Sequence, residues 1–141
     1  MKTFTYGLYV GLVMLVINLA VSMLFSLLIP AVPHEYSNMA IFRSWSDPVM
    51  SLFFVYPFAV GMIISAIWNH AKKIVVGKNV HQKGFNYGLS LWLLLTIPGM
   101  IITYATFQVS LTLVGIWTVS GLLSFLAAGW LLSRLHGMLV E

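Results

Sequence analysis

The residues best suited to chemistry lie in one segment between positions 34 and 47. His34 and Glu35 can transfer protons, while Arg43 and Asp47 can hold a polar or charged group. Catalysis would require these four side chains to converge within about 3–5 Å of one another around a pocket. Asp47 has a simpler explanation, because it precedes Pro48 and so suits the cap of a helix. The four residues therefore give a candidate site without a specific catalytic motif.

Apolar side chains recur at every third position of the same segment: Tyr36, Met39, Phe42 and Trp45. Such a surface suits a lid or a docking surface over a cavity. It is also typical of a short interfacial helix, whose aromatic side chains anchor it at the depth of lipid headgroups. The predicted ligand or partner surface comprises His34, Glu35, Tyr36, Arg43, Trp45 and Asp47.

The composition indicates which elements must position this segment. Of the 141 residues, 60% are hydrophobic and 7% are charged, and the mean hydropathy is +0.97. Soluble domains carry about 25% charged residues, so lipid is the expected solvent for most of these side chains. Crossing a bilayer takes about 20 apolar residues, and four segments are long enough. They span approximately residues 4–29, 48–68, 85–107 and 111–135.

The expected fold class is all-α, a four-transmembrane-helix bundle with a short interfacial helix in the first outer loop. The bundle forms a single transmembrane domain over residues 1–141. The first apolar segment is longer than the region of about 7–15 residues found in signal peptides, so we expect it to be a membrane helix.

Lysines indicate the orientation of the chain. Lys72, Lys73, Lys78 and Lys83 lie between the second and third apolar segments, in a stretch without an acidic residue. Basic residues accumulate in cytoplasmic loops, so we expect a multi-pass protein of the cell inner membrane with both termini in the cytoplasm. The partners expected for the four lysines are anionic lipid headgroups, and nucleic acid is not an expected partner.

Prolines and polar residues within the apolar segments indicate where a cavity could form. Pro57 and Pro98 each remove a backbone hydrogen bond and can kink the second and third helices. Asn18 lies deep in the first helix and needs a partner across the bundle, across a dimer interface or on a ligand. One interpretation is a cavity between the kinked helices, and the other is two kinks repaired by neighbouring side chains. The candidate cavity residues are Asn18, Tyr56, Pro57, Pro98 and Tyr104.

Small residues recur at helical spacing and predict where helices approach one another. Gly7 and Gly11 form a GxxxG pair in the first helix, and Gly61 lies on one face of the second. A further stripe in the last helix comprises Gly115, Thr118, Gly121, Ser124 and Ala128. Because small residues let backbones pack closely in lipid, we expect these faces to meet inside a compact bundle. The GxxxG pair is also found in homodimers of membrane helices.

The sequence argues against several kinds of chemistry. No Asp, Glu, Lys or Arg lies at the expected mid-membrane depth, where proton-coupled transporters usually carry one. There is no cysteine, and the spacing of the four histidines matches no metal-ligand motif. No cofactor, bound metal or catalytic residue is therefore predicted.

The second half of the chain carries a set of features shared with a group of known proteins. These are the run Lys83-Gly84-Phe85-Asn86-Tyr87-Gly88, the pair Pro98-Gly99, Tyr104 and a Gly-rich last helix. In these features the chain resembles small uncharacterised four-helix prokaryotic membrane proteins. The resemblance implies the fold and the membrane location, and no activity.

Three functions are consistent with these patterns. The first is a non-enzymatic multi-pass membrane protein that acts as a small homo-oligomer or as an accessory subunit of a membrane complex. The alternative is a small transporter, channel or lipid-binding protein whose cavity lies between the kinked second and third helices. The third, a membrane enzyme, would use the ionisable residues of the first outer loop, and the sequence favours it least.

Overall fold

The structure, a computed structural model, describes residues 2–137 of the chain, so that Met1 and residues 138–141 lie outside the described part. The described residues form helices, turns and bends. Four helices are long and apolar enough to cross a membrane: Lys2–Leu28, Pro48–Ala71, Val80–Thr106 and Leu111–His136. The predicted all-α class with four long apolar helices is thereby confirmed.

Shorter elements subdivide these four helices and the first loop. Helix α1 is Lys2–Leu28, α2 is Ala31–Tyr36, α3 is Leu52–Ala71, α4 is Val80–Leu91, α5 is Ile97–Thr106 and α6 is Leu111–Gly137. A 3₁₀-helical turn, Pro48–Ser51, precedes α3, and a π-helical turn, Trp92–Thr96, joins α4 to α5. The third long helix begins at Val80 rather than at residue 85, because the Asn79 side chain caps it by accepting from the Gln82 N–H at 2.8 Å.

Glycines allow the backbones of α1 and α3 to come into direct contact. A Cβ atom added to Gly61 would overlap the Gly7 carbonyl oxygen and would lie 2.6 Å from the Gly11 nitrogen. The predicted small faces of the first two long helices therefore meet, and they do so within one chain. The GxxxG pair is occupied by this intramolecular contact.

A second glycine contact holds α4 against α6. A Cβ atom on Gly129 would overlap the Gly84 carbonyl oxygen and would lie 2.9 Å from the Gly88 nitrogen. On Gly84, a Cβ atom would lie 2.6 Å from the Ser133 Cβ. Such close approach is typical of membrane helices, which gain little from hydrophobic association in lipid. The sequence pattern did not identify this contact.

The α1–α3 pair and the α4–α6 pair contact each other through α1 and α6, around a shared core. Val10, Ile64, Trp68 and Leu132 are almost completely buried there. We call the end of the bundle that carries Lys2 and residues 72–79 the terminal end, and the end that carries residues 29–51 and 107–110 the loop end. At the terminal end, the Tyr87 hydroxyl donates to the Ile64 carbonyl oxygen at 2.9 Å, which links α4 to α3.

The two prolines inside the long apolar helices have different effects. The π-helical turn directly precedes Pro98, whose ring nitrogen has no hydrogen to donate, so the irregularity predicted for the third helix is present. Helix α3 instead runs from Leu52 to Ala71 without interruption across Pro57, which is buried. Pro57 lies in the second turn of α3, where only one carbonyl near the helix start loses its partner.

The first loop differs from the predicted arrangement. Its only helix among the described residues, α2, ends at Tyr36, and residues 37–47 form turns and bends. The expected single apolar face is also split, because Tyr36 and Phe42 pack on Trp117 while the Met39 and Trp45 residues are 69% and 66% exposed. Local side-chain bonds compete with the helix where α2 ends: the Ser37 hydroxyl donates to the His34 carbonyl oxygen, and the Asn38 Oδ1 atom accepts from the Ala40 N–H at 3.1 Å.

Candidate ligand cavity at the loop end

A cavity of about 430 Å³ lies between α1, α3, α5 and α6 in the loop-end half of the bundle. Its volume falls in the range of about 300–1,000 Å³ that is usual for small-molecule sites. Gly99 of α5 and Gly121 of α6 contribute to its wall without side chains, and α5 contains no buried residue. The cavity therefore exists because α5 is not packed closely against α3.

Asn18 places an amide group in the wall of this cavity. Its Oδ1 atom accepts hydrogen bonds from the Ser120 hydroxyl at 2.8 Å and from the Ser124 hydroxyl at 3.0 Å. These bonds link α1 to α6, so the partner that Asn18 needs lies across the bundle. Its Nδ2 atom has no hydrogen-bond acceptor among residues 2–137. Two N–H donors are thus available on the cavity wall.

Tyr36 closes the cavity on the side of the first loop. Its hydroxyl oxygen accepts from the Trp117 indole N–H at 2.7 Å, and its ring packs 5.1 Å from that of Phe42. Burial raises the pKa of the Tyr36 phenol above its usual value, and the bond from Trp117 partly offsets this. Tyr36 is therefore an uncharged phenol at neutral pH. We call Tyr36, Phe42 and Trp117 the roof cluster.

Glu35 fastens the roof to α6. One carboxylate oxygen accepts from the Ser110 backbone N–H at 2.7 Å, and the other accepts from the Ser110 hydroxyl at 2.6 Å. The Ser110 hydroxyl also accepts from the Leu113 N–H at 3.1 Å, which caps α6. A carboxylate at a helix N-terminus is further stabilised by the helix dipole. Glu35 is accordingly a structural clasp between α2 and α6.

Replacing Glu35 with alanine should loosen α2 and the roof cluster. Two hydrogen bonds are lost, and because they are exposed we expect the free energy of unfolding to fall by only about 1 kcal/mol. The sharper measurement is hydrogen exchange, which should accelerate for the backbone amides of α2. Arg43→Ala is the control, since Arg43 contacts neither element. Unchanged exchange in α2 would show that the clasp does not hold the roof.

The remaining candidates of the first loop form a separate contact. Arg43 donates to Asp47 at 3.0 Å, and the Asp47 carboxylate also accepts from the Val49 N–H at 2.9 Å. The Val49 bond and, after it, the Arg43 guanidinium hold the pKa of Asp47 below its usual value. His34 is exposed, and the exposed Trp45 ring packs 5.5 Å from the ring of Phe53. None of the four candidates His34, Arg43, Trp45 and Asp47 lines the cavity.

The ionisable residues of the loop are thus not gathered around one pocket. Both oxygens of Glu35 are directed to α6, while Arg43 and Asp47 are paired at the start of α3. The geometric requirement set for a catalytic site is not met by these side chains. Among the described residues there is also no group of three His, Cys, Asp or Glu that could hold a metal ion.

The predicted cavity residues are divided between two surfaces. Asn18, Tyr56 and Pro57 line the cavity as expected. Pro98 and Tyr104 do not, and both lie exposed on the outside of α5. The π-helical turn inserts an extra residue per turn and so changes the direction of every side chain after it.

The predicted lipid-contacting lysines lie at the terminal end. Lys73 and Lys78 are exposed, while the Lys83 ammonium group donates to the Lys72 carbonyl oxygen at 3.3 Å. The loop between α3 and α4 also presents Ile74, an apolar residue that is 82% exposed. Apolar and basic side chains therefore share this loop, which is the composition of a surface that rests on a bilayer.

No protein-family model, curated protein or solved structure matches this chain. The resemblance of its second half to small four-helix prokaryotic membrane proteins stays a prediction.

Proposed function

We propose that this chain is a multi-pass integral membrane protein that binds a lipid-soluble molecule in the loop-end cavity. The observation that carries the proposal is the position of the cavity opening. Tyr56 of α3 and Leu95 of the π-helical turn both line the cavity, yet these residues are 61% and 50% exposed. The cavity therefore opens sideways between α3 and α5, on the surface where the apolar side chains of the long helices are exposed.

Exposure of apolar side chains supports the lipid environment of this opening. Large apolar residues are more than half exposed on all four long helices, as in Met23, Ile63, Ile101 and Leu111. In water such a continuous apolar surface would cause aggregation, whereas in a bilayer it is solvated by acyl chains. With the lysines in the cytoplasm, the cavity lies in the outer half of the membrane, and its opening admits molecules directly from lipid.

Filling the cavity should weaken binding. A Cβ atom on Gly99 would meet nothing within 4 Å, so Gly99→Leu extends a side chain into the open space of the cavity. Gly115→Leu is the matched control, since Gly115 is also helical and unobstructed but does not line the cavity. The probe is a diazirine derivative of dodecane in phosphatidylcholine nanodiscs, with labelled peptides identified by mass spectrometry.

In the unaltered protein, the probe should label peptides that contain Asn18 and Trp117. Labelling of the peptide that contains Ile63 serves as the reference for ordinary lipid contact, because Ile63 is exposed away from the cavity. The quantity compared is the labelling of the cavity peptides divided by the labelling of the Ile63 peptide. We expect Gly99→Leu to reduce this ratio about tenfold, equivalent to ~1.4 kcal/mol, and Gly115→Leu to leave it unchanged. Equal ratios in all three proteins would refute the proposal.

The GxxxG motif no longer supports the homo-oligomer or accessory-subunit hypothesis. Gly7 and Gly11 contact α3 of the same chain, so the GxxxG pair is not available to a second copy. What supports the hypothesis in the structure is α5, which has no buried residue and so presents an uncovered helix to its surroundings. Native mass spectrometry from nanodiscs distinguishes a monomer from a defined oligomer or hetero-complex.

A further inference from the structure

We infer that the molecule bound in the cavity is an uncharged lipid with a carbonyl oxygen, of the ester or ketone class, which accepts a hydrogen bond from Asn18. This inference rests on the proposed function and adds the chemical class of the ligand to it. It follows from two properties of the cavity wall: the absence of charged side chains among its described residues and the unpaired N–H donors of Asn18.

Among residues 2–137, no acidic, basic or histidine side chain lines the cavity. Its walls are mainly aliphatic and aromatic, from Met14 on α1 to Phe125 on α6. Bringing an ionised headgroup into such a site without a counter-charge costs several kcal/mol. A fatty-acid anion or a phosphate group is therefore disfavoured relative to an uncharged molecule of the same length.

Two polar side chains of the wall, Asn18 and Tyr36, carry donors without acceptors. The Asn18 Oδ1 atom is occupied by two serine hydroxyls, which fixes the amide so that its N–H groups remain for a ligand. At the roof, the Tyr36 oxygen accepts from Trp117, while its own proton has no acceptor among the described residues. The Thr103 hydroxyl donates to the Gly99 carbonyl at 2.7 Å and is already satisfied.

An oxygen atom with two lone pairs is the group that such a wall recognises. Leaving a donor unpaired in an apolar cavity is unfavourable, and a carbonyl oxygen removes this penalty without bringing a charge. A pure hydrocarbon fills the space but leaves the Asn18 donors unpaired. The preference between the two ligands therefore measures the contribution of Asn18.

Asn18→Leu removes the donors while keeping a side chain of similar size. Ser120 and Ser124 lose their acceptor, but a helical serine can donate to the carbonyl four residues earlier. Ser90 does so in this structure, at 2.8 Å from the Asn86 oxygen. The variant is therefore expected to fold, which thermal unfolding in detergent will verify, and the core contacts of α1 at Val10 remain.

The test is competition against the diazirine derivative of dodecane in phosphatidylcholine nanodiscs. The competitors are methyl dodecanoate, dodecane and dodecanoate, at a pH where the acid is ionised. In the unaltered protein, methyl dodecanoate should displace the probe at a mole fraction about fivefold lower than dodecane, and dodecanoate should be the weakest. In Asn18→Leu, the ester and the alkane should become equal, while the midpoint for dodecane stays the same.

Two results would overturn the inference and leave the proposed function standing. They are equal displacement by ester and alkane in the unaltered protein, and an ester preference that survives in Asn18→Leu. Stronger displacement by dodecanoate would also overturn it, because it would show that the site accepts an anion. Failure of the probe to label any cavity peptide would instead refute the proposed function, and this inference with it.

Discussion

Gly129→Ala is expected to force α4 away from α6 and to lower the free energy of unfolding by about 3 kcal/mol. The added methyl group would overlap the Gly84 carbonyl oxygen and press on the Gly88 nitrogen, 2.9 Å away. Both are backbone atoms, so no change of rotamer can relieve the overlap. The helices must separate along their contact, and the dispersion energy of the whole contact is then reduced.

Gly115→Ala is the matched control for this substitution. It adds the same methyl group to the same helix, where nothing lies within 4 Å. Alanine forms helix more readily than glycine, so stability should stay constant or rise by up to about 1 kcal/mol. Unfolding by increasing fractions of denaturing detergent measures both variants. If Gly129→Ala were as stable as Gly115→Ala, the close α4–α6 contact would be refuted.

Trp68→Ala should be about as damaging, with a loss of about 3–5 kcal/mol. Trp68 is 0% exposed, contacts the core residues around Ile64 and Leu132, and packs 5.1 Å from the Tyr87 ring. Removing the indole leaves a cavity between both helix pairs at the terminal end. Unlike the glycine substitution, this change creates empty space instead of overlap.

Trp68→Phe separates the packing of the indole from its polar atom. The Nε1 atom of Trp68 is buried without a hydrogen-bond partner in the described part of the chain. Phenylalanine keeps much of the ring volume and removes this unpaired donor, so we expect a loss below about 1.5 kcal/mol. A loss as large as that of Trp68→Ala would indicate that the indole N–H makes a stabilising bond.

The four long helices were predictable because their signal is repeated over many residues. A run of more than 18 apolar residues is hard to accommodate in any way other than a membrane helix, so the number and type of the elements follow from composition. The start of the third helix was less predictable. It depends on the single Asn79 cap, which overrides the polar character of residues 80–84.

The details of the candidate site were only partly predictable, for a geometric reason. The direction of a side chain on α5 depends on how many residues the preceding turn contains, and the π-helical turn adds one. Pro98 and Tyr104 were assigned to the cavity because of the proline kink and the polar side chains of the third helix, and they face outward instead. Gly99, which follows Pro98, and Thr96 line the wall in their place.

The ionisable residues of the first loop show a different limit of sequence reasoning. Their residue types suggested a catalytic or binding site, but the hydrogen bonds of their carboxylates instead stabilise the starts of helices. Glu35 binds the first turn of α6, and Asp47 caps the turn before α3. The partner of Glu35 is Ser110, which lies 75 residues away in the chain, so no local spacing could predict that contact.

Each glycine contact lies inside one helix pair, α1 with α3 or α4 with α6, and the cavity lies between the pairs. Polar links such as Tyr87 to Ile64 and His136 to Asn69 tie the pairs at the opposite end of the molecule. That end can serve as a pivot. Swinging the two halves apart about it would widen the mouth beside Tyr56 and leave the backbone contacts inside each half intact, but it would break the bonds from Ser120 and Ser124 to Asn18 and the Glu35 clasp. Ligands of different width could thus be accommodated by a rigid-body movement of the two helix pairs, without any helix having to bend or unwind.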